Sequence, residues 1–243
     1  MGFKDFSNRV DKWDQKIIIK YNGKGGKFLT YILKFASFFG RETLWIFLIA
    51  FFLFIWYDPF LISNLGAIFL IGLVIIVTLK RVVNRTRPFD RLDNDKIIVL
   101  EKKPSSKSFP SWHSYNIVAY GLLIGFFLLK SPLLTGLMLI LAVIVSFSRI
   151  QLGVHYPSDV IFGFFIGILG FSVSVTIVAP VFQMIIEYLE LFTLHDIEYR
   201  QINSFLFENF WYIVLWIIIC ITIFLSAIYK HIQDKFIGRK MKS

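Results

Sequence analysis

Cysteine is nearly absent from this sequence of 243 residues, and its one cysteine, Cys220, excludes an internal disulfide bond. Acidic residues are also scarce, with 16 Asp and Glu against 26 Lys and Arg. The sequence has no repeat of fixed period and no low-complexity linker. No short hydrophobic region ends in a small-residue cleavage site, so a removed signal peptide is not expected.

Hydrophobic residues, in contrast, make up 56% of the chain, and 28 of them are Phe, which excludes a soluble domain. A helix needs about 20 apolar residues to cross the hydrocarbon core of a bilayer. Six apolar runs approach or exceed this length: 43–58, 62–80, 114–130, 133–151, 157–184 and 209–230. The sequence therefore predicts an all-α, polytopic membrane helical bundle with about six transmembrane helices.

The first 41 residues form a basic segment that differs from the rest of the chain. Their apolar stretch is short, and Lys34 lies in its middle. Together with Trp13, the lysines favour a helix in the headgroup layer over one that crosses the membrane. We therefore expect an interfacial segment over 1–41 and a transmembrane domain over 42–243, with a seventh span as the alternative for the N-terminal segment.

Basic residues are distributed very unevenly over the loops of the six predicted spans. When the direction alternates from one span to the next, 24 of the 26 Lys and Arg lie on one face of the membrane. The positive-inside rule places that face in the cytoplasm. Because these charges flank spans and do not line one recognition element, the expected partner is the lipid bilayer and not a nucleic acid.

Three polar clusters lie on this basic face, and the first is KRVVNRTRP. Its Lys80 and Arg87 are seven residues apart, which places them on the same side of a helix. Two cations there suit an anionic ligand. The alternative is that they only extend to the lipid headgroups, an interpretation that also fits Arg81 and Arg85.

The second cluster is FPSWHS, in which Ser111 precedes a span that begins near His113. Backbone N–H groups at the start of a helix point outward and attract anions. The cluster therefore indicates an anion site on the basic face. The alternative is an ordinary helix cap at Ser111, with Trp112 and His113 only incidental neighbours.

The third cluster is SRIQLGVHYPSDV, which holds Arg149, His155 and Asp159. It combines a cation, a nucleophile or base, and a carboxylate four residues further on that can fix the tautomer of the imidazole. A core histidine with a chance neighbour is the alternative. Because ionisable groups are costly in a membrane, the convergence of three such clusters on one face favours a functional site.

Together the three clusters resemble the signatures of the type 2 phosphatidic acid phosphatase superfamily, a family of membrane lipid phosphate phosphatases. The three signatures appear in order between residues 80 and 159, and they are carried by Lys80, Arg87 and Pro88, then Pro110, Ser111 and His113, then Ser148, Arg149, His155 and Asp159. The glycine of the second signature is replaced by Trp112. Its backbone N–H can still bind phosphate, whereas its indole either narrows the site or packs against a lipid chain of the substrate.

The resemblance implies metal-independent phosphoryl transfer without any cofactor. It assigns phosphate binding to Lys80, Arg87, Ser111, Trp112 and Arg149, and catalysis to His155 as nucleophile, Asp159 as its orienting carboxylate and His113 as general acid and base. The implied substrate is a lipid phosphate such as phosphatidylglycerophosphate, phosphatidate or undecaprenyl pyrophosphate. The alternatives are a lipid-linked phosphotransferase and a non-catalytic lipid-binding protein. The family's sites are more often extracytoplasmic, which conflicts with the charge distribution.

Overall fold

The computed structural model describes residues 2–92, 96–192, 197, 199–202 and 210–222, and this part of the chain is helical with no strand. The helices are α1 (Phe3–Tyr21), α2 (Gly26–Phe38), α3 (Glu42–Phe54), α4 (Pro59–Val83), α5 (Pro88–Arg91), α6 (Trp112–Leu122), α7 (Pro132–Gln151), α8 (Pro157–Val173), α9 (Ala179–Glu190) and α10 (Phe210–Thr222). Two π-helical segments, Leu123–Leu128 and Ser174–Val178, extend α6 and α8. The predicted all-α fold is confirmed.

Four helical stretches of the described residues are long and apolar enough to cross a membrane: Gly26–Phe54, Pro59–Arg91, Pro132–Gln151 and Pro157–Glu190. The polytopic helical bundle is thus confirmed, but the count of six spans is not. The predicted span 114–130 corresponds to α6 and its π-helical extension, which end at Leu128. Of the predicted span 209–230, only α10 is described, and the basic tail 230–243 lies outside the described residues.

The described chain divides into two compact units. The first comprises Met1–Glu42 and Ile68–Thr176, and the second comprises Thr43–Ala67 and Ile177–Ser243. All three signature clusters belong to the first unit. In the second unit, Asp58 pairs with Arg200 and the Tyr57 hydroxyl donates to Glu190 at 2.6 Å.

Helices α6 and α8 approach each other closely where Gly163, Gly167 and Gly170 lie on one face of α8. A Cβ on Gly163 would lie 2.5 Å from the Ser111 carbonyl oxygen, and a Cβ on Gly167 would lie 2.9 Å from the Tyr115 carbonyl oxygen. Small residues at this spacing allow membrane helices to pack backbone to backbone. The contact places the start of α6, with the second signature, against the start of α8, with the third.

The loop between α7 and α8 folds back on the end of α7 and presents His155. The amides of Val154 and His155 both donate to the Arg149 carbonyl, at 3.1 and 3.2 Å. Gly153 has a φ of 79°, a left-handed conformation that glycine adopts at little cost. Pro157 then occupies the first turn of α8, where its missing N–H is not needed.

An apolar cluster beneath this loop includes a residue of the N-terminal helix. Ile18 of α1 is fully buried with Leu152, Val154 and Tyr156 of the loop. Burial of an aliphatic side chain of this size contributes about 1.5–3 kcal/mol. Helix α1 therefore packs on the segment that carries His155.

Candidate active site

His155 and Asp159 face each other in the interior of the first unit. The Nδ1 atom of His155 lies 3.5 Å from Oδ2 of Asp159, within ion-pair range but longer than an ordinary hydrogen bond. His155 is almost completely buried and Asp159 is fully buried. The spacing of four residues thus brings the two side chains together, as the sequence predicts, because α8 begins immediately after His155.

Both carboxylate oxygens of Asp159 are held by further groups. Oδ2 accepts hydrogen bonds from the Ser108 hydroxyl and, at 2.9 Å, from the backbone amide of Tyr156. Oδ1 forms an ion pair with Nη1 of Arg85 at 2.7 Å. The position of Asp159, and with it the group that faces His155, is therefore fixed from three directions.

The environment of His155 favours its neutral imidazole. Burial, together with the positive charges of Arg87, Lys80 and Arg149, lowers the pKa of His155 well below its ordinary value of 6.5. A neutral imidazole has a free lone pair and can act as a nucleophile. Its Nε2 atom lies 3.2 Å from Nη1 of Arg87, on the side of the ring opposite to Asp159.

The two cations of the first signature bind the segment that precedes α6. Nζ of Lys80 donates to the Lys107 carbonyl at 2.5 Å, and Nε of Arg87 donates to the Ser106 carbonyl at 2.6 Å. Nη1 of Arg87 also donates to the Val154 carbonyl at 2.8 Å, next to His155. The structure therefore brings the first and third signatures into direct contact.

The second signature forms the start of α6, as predicted. Ser111 is the N-cap, and its hydroxyl oxygen accepts from the Ser114 amide at 3.4 Å. The indole N–H of Trp112 donates to the side chain of Asn116 at 3.0 Å, one turn along the helix. His113 lies in the first turn of α6, within electrostatic range of Arg149 and His155.

Arg149, the cation of the third signature, is buried and paired with a carboxylate. Its Nη1 atom donates to the Ser37 hydroxyl at 2.6 Å and to Oε2 of Glu101 at 3.0 Å, and its Nη2 atom binds Oε1 of Glu101. A carboxylate that binds both ends of a guanidinium occupies the donors that a phosphate would use. Glu101 thus holds the guanidinium that the resemblance assigns to phosphate binding.

Four polar residues of this site are absent from the sequence-based prediction: Asp14, Arg85, Glu101 and Ser108. Arg85 lies inside the first signature, but cations are common at the ends of membrane spans and do not by themselves indicate a functional residue. Ser108 lies two residues before Pro110, and no sequence feature distinguishes it from an ordinary loop serine. Asp14 and Glu101 reach the site from distant positions in the chain, which only the packing of α1 and of the segment after α5 reveals.

A family model described as the PAP2 superfamily matches residues 60–183, which is more than half of the chain and contains all three signatures. The chain belongs to the PAP2 superfamily. The resemblance carried by the signatures is therefore confirmed at the level of the family, which is that of the type 2 phosphatidic acid phosphatases.

Two curated relatives of the chain are named as phosphatases of polyprenyl-linked phosphates. The chain is 36% identical over 140 residues to the undecaprenyl-diphosphatase of Sulfolobus acidocaldarius, covering 57% of this chain and 66% of the relative. It is 39% identical over 109 residues to the decaprenylphosphoryl-5-phosphoribose phosphatase of Mycobacterium tuberculosis, covering 44% of this chain and 54% of the relative. The chain thus spans a little under two thirds of the first relative and about half of the second.

The fold is also that of a solved PAP2 enzyme. The crystal structure of the transmembrane PAP2 type phosphatidylglycerolphosphate phosphatase from Bacillus subtilis superposes with a TM-score of 0.56 at 23% identity. The match covers 78% of this chain and 90% of that chain. At this identity the likeness establishes a shared arrangement of helices.

Proposed function

We propose that this PAP2 protein is an integral-membrane phosphatase that hydrolyses the phosphomonoester or diphosphate headgroup of a lipid through a phosphohistidine. One observation carries the proposal. A buried His155, whose surroundings lower its pKa, lies between a carboxylate at Nδ1 and the Arg87 guanidinium at Nε2. A phosphate bound to Arg87 would therefore lie beside the nucleophilic nitrogen.

The first step transfers the phosphoryl group to the enzyme. Nε2 of His155 attacks phosphorus while the bond from phosphorus to the leaving oxygen breaks, and His113 donates a proton to that oxygen. Burial and nearby cations lower the pKa of His113, so the protonated form that this step needs depends on the negative charge of the bound phosphate. The imidazole gains positive charge as it bonds to phosphorus. Asp159 offsets this charge from the Nδ1 side.

The second step releases phosphate. His113, now neutral, removes a proton from a water molecule that attacks phosphorus, and the bond between phosphorus and Nε2 breaks. Transfer of this kind depends mainly on positioning and on neutralisation of the charge on the phosphate oxygens. Lys80, Arg87 and Arg149 supply that charge, and Ser111 with the Trp112 amide supplies hydrogen bonds at the start of α6.

Three cations around the phosphate also support metal-independent catalysis. Within residues 2–92, 96–192 and the shorter described segments, no three His, Cys, Asp or Glu side chains converge in a way that would hold a metal ion. Mg²⁺ binding would require carboxylate or other oxygen ligands directed at one point. We therefore expect no metal or other cofactor in the reaction.

The proposed substrate remains in the membrane while its headgroup is hydrolysed. The relatives named above act on polyprenyl and phosphatidyl phosphates, so undecaprenyl pyrophosphate, phosphatidylglycerophosphate and phosphatidate are the candidate substrates. We also propose that residues 1–41 lie in the headgroup layer. Helix α2 has 13 residues, which rise about 20 Å, so it could cross the roughly 30 Å of hydrocarbon only together with α3, as the stretch Gly26–Phe54.

The distribution of basic residues supports a cytoplasmic site. A cysteine introduced at Ser105 of a Cys220→Ser chain tests it, because Ser105 is exposed and lies in the segment that Lys80 and Arg87 hold. The new thiol should resist a membrane-impermeant reagent in intact cells and react after permeabilisation. Labelling in intact cells would instead indicate an extracytoplasmic site.

The experiment that tests the function is phosphate release by the purified full chain from a panel of these lipid phosphates, with and without EDTA. We expect release to survive EDTA and to be inhibited by vanadate, which resembles the pentacoordinate transition state. No release from any lipid phosphate would reject the proposed function. Release that is lost in EDTA and restored by Mg²⁺ would reject metal independence.

A further inference from the structure

The N-terminal helix α1 contributes a fully buried carboxylate, although most of its other polar side chains are exposed. Asp14 has no accessible surface. It forms an ion pair with Nη2 of Arg85 at 2.6 Å, while Nη1 of the same guanidinium pairs with Asp159 at 2.7 Å. One arginine thus bridges a carboxylate of the N-terminal helix and the carboxylate that faces His155.

Asp14 also binds the start of α8 directly. Its Oδ1 atom accepts from the backbone amide of Ser158 at 2.8 Å, and its Oδ2 atom accepts from the Ser158 hydroxyl at 2.5 Å. The first amides of a helix lack partners within that helix, and a carboxylate there is favourable. The Arg85 guanidinium stacks over the ring of Tyr156, 4.1 Å from its centre.

These contacts determine where Asp159 lies. One of its oxygens is set by Arg85, and Arg85 is in turn set by Asp14. A buried carboxylate that loses its partner is strongly unfavourable, so Asp159 would shift or change its charge if Arg85 moved. Because Asp159 faces Nδ1 of His155, such a change at Asp159 would also alter the orientation or protonation of the imidazole.

We propose that Asp14 and Arg85 are positioning residues that act on His155 through Asp159. The inference rests on the proposed function, in which His155 is the nucleophile. It gives α1 a role in the reaction, in addition to its apolar packing beneath the loop of His155. Asp14 and Arg85 themselves do not touch the reacting atoms.

The proposal makes opposite electrostatic predictions for the two residues. The charged or titratable groups that surround His155 are Lys80 from α4, Arg87 before α5, His113 from α6, Arg149 from α7 and Asp159 from α8. Loss of the Asp14 carboxylate leaves Arg85 less neutralised, which disfavours a protonated imidazole. Loss of the Arg85 guanidinium leaves Asp159 less neutralised, which favours one.

The test measures kcat and KM against pH for the purified full chain and a lipid phosphate that it hydrolyses. Asp14→Asn should lower kcat about tenfold or more with KM nearly unchanged, and should shift the acid limb of kcat/KM down by about half a pH unit. Arg85→Met should shift that limb up by a similar amount. The substrate ionises in the same way with every variant, so only the differences in the acid limb between variants report on the enzyme.

Asp5→Asn is the matched control, because Asp5 is an exposed carboxylate of the same helix. It should retain the rate and the pH profile of the wild type. Asp14→Glu retains the charge but displaces the carboxylate by one methylene. It should leave the acid limb of kcat/KM at the pH of the wild type and lower kcat in part. If Asp14→Asn does not fold, Asp14→Glu takes its place in the test.

The inference is overturned if Asp14→Asn and Arg85→Met leave the acid limb in place or shift it in the same direction. It is equally overturned if Asp14→Glu has the kcat of the wild type. A loss of kcat that only follows a lower unfolding temperature would assign Asp14 a structural role. Failure of the proposed function is distinct, because then neither the wild type nor Asp5→Asn would release phosphate.

Discussion

The proposed nucleophile side of the site consists of His155, Asp159, Arg85 and Asp14, and its proposed phosphate side consists of Lys80, Arg87 and Arg149. On the nucleophile side, side chains bind one another, and Asp14 and Asp159 are fully inaccessible. On the phosphate side, each cation binds an acceptor from the segment 101–107. The two sides thus differ in what satisfies their charges.

This difference indicates which part of the site a substrate can change. A phosphate has several oxygens that accept hydrogen bonds, so it can replace the carboxylate of Glu101 and the carbonyls of Ser106 and Lys107 without leaving a cation unpaired. No such exchange is available to Asp159, whose partners are the Ser108 hydroxyl, the Arg85 guanidinium and a backbone amide. We infer that binding rearranges the segment 101–107 while the nucleophile side remains as it is.

The largest expected effect comes from replacing each of the two histidines in turn. It tests whether the nucleophile side can form the phosphoenzyme without His113. His155→Ala should abolish turnover of every substrate. His113→Ala should lower lipid monoester hydrolysis by about 10²–10⁴, because an alkoxide leaves poorly without a proton. With an activated aryl phosphate, which needs no proton, His113→Ala should release one burst of phenolate and then stall as a phosphoenzyme.

His195→Ala is the control for this pair, since His195 lies outside the signatures and should be dispensable. Rapid-mix measurement of phenolate detects the burst, and acid-labile phosphate on the protein identifies the intermediate. Equal loss of activity in the two variants, without a burst from His113→Ala, would contradict the division of roles between nucleophile and acid.

The sequence indicates the signature residues of the site better than the carboxylates that bind them, for a physical reason. Signature residues such as Lys80 and Arg149 are ionisable groups at the ends of apolar runs, where charge is costly and therefore informative. Asp14 and Glu101 lie in polar segments, where a carboxylate is unremarkable. Only the packing of α1 and of the segment before α6 brings them to the site.

The count of six spans is not confirmed, and the reason is similar. An apolar run predicts which residues can lie in the hydrocarbon of a bilayer. Where a helix begins and ends depends instead on capping residues, prolines and other local features. In the run 114–130, α6 continues as a π-helical segment that ends at Leu128, and Ser131 then caps α7, which begins at Pro132. The predicted helix start near His113 agrees with α6, which begins at Trp112, since a serine cap followed by a helical run is a local signal.

An intermediate effect is expected from Arg87→Lys, which tests how far the phosphate side depends on geometry in addition to charge. The guanidinium contacts the carbonyls of Ser106 and Val154 and also Nε2 of His155. An ammonium cannot reach all three from one position. We expect kcat/KM to fall about 10²–10³-fold, as for the loss of one preorganised donor to a transition state.

Arg81→Lys is the matched control for this substitution, because Arg81 is an exposed cation of the same sequence cluster, in the last turn of α4. It should leave kcat/KM unchanged. A small loss in Arg87→Lys, similar to that of the control, would show that charge alone suffices at Arg87. The function of the phosphate side would then depend on its charge and not on the geometry of its donors.

The smallest expected effect concerns Glu101, and it tests directly whether the acceptors of the phosphate side are replaceable. Glu101→Gln leaves one oxygen to accept from Arg149 but removes the charge that competes with a phosphate dianion. A charged hydrogen bond exceeds a neutral one by about 1 kcal/mol, so vanadate should bind about threefold to tenfold more tightly. Glu187→Gln, an exposed carboxylate of α9, is the control and should not change vanadate inhibition. Weaker inhibition of Glu101→Gln would mean that Glu101 holds Arg149 in place for the substrate, and that the phosphate side is as fixed as the nucleophile side.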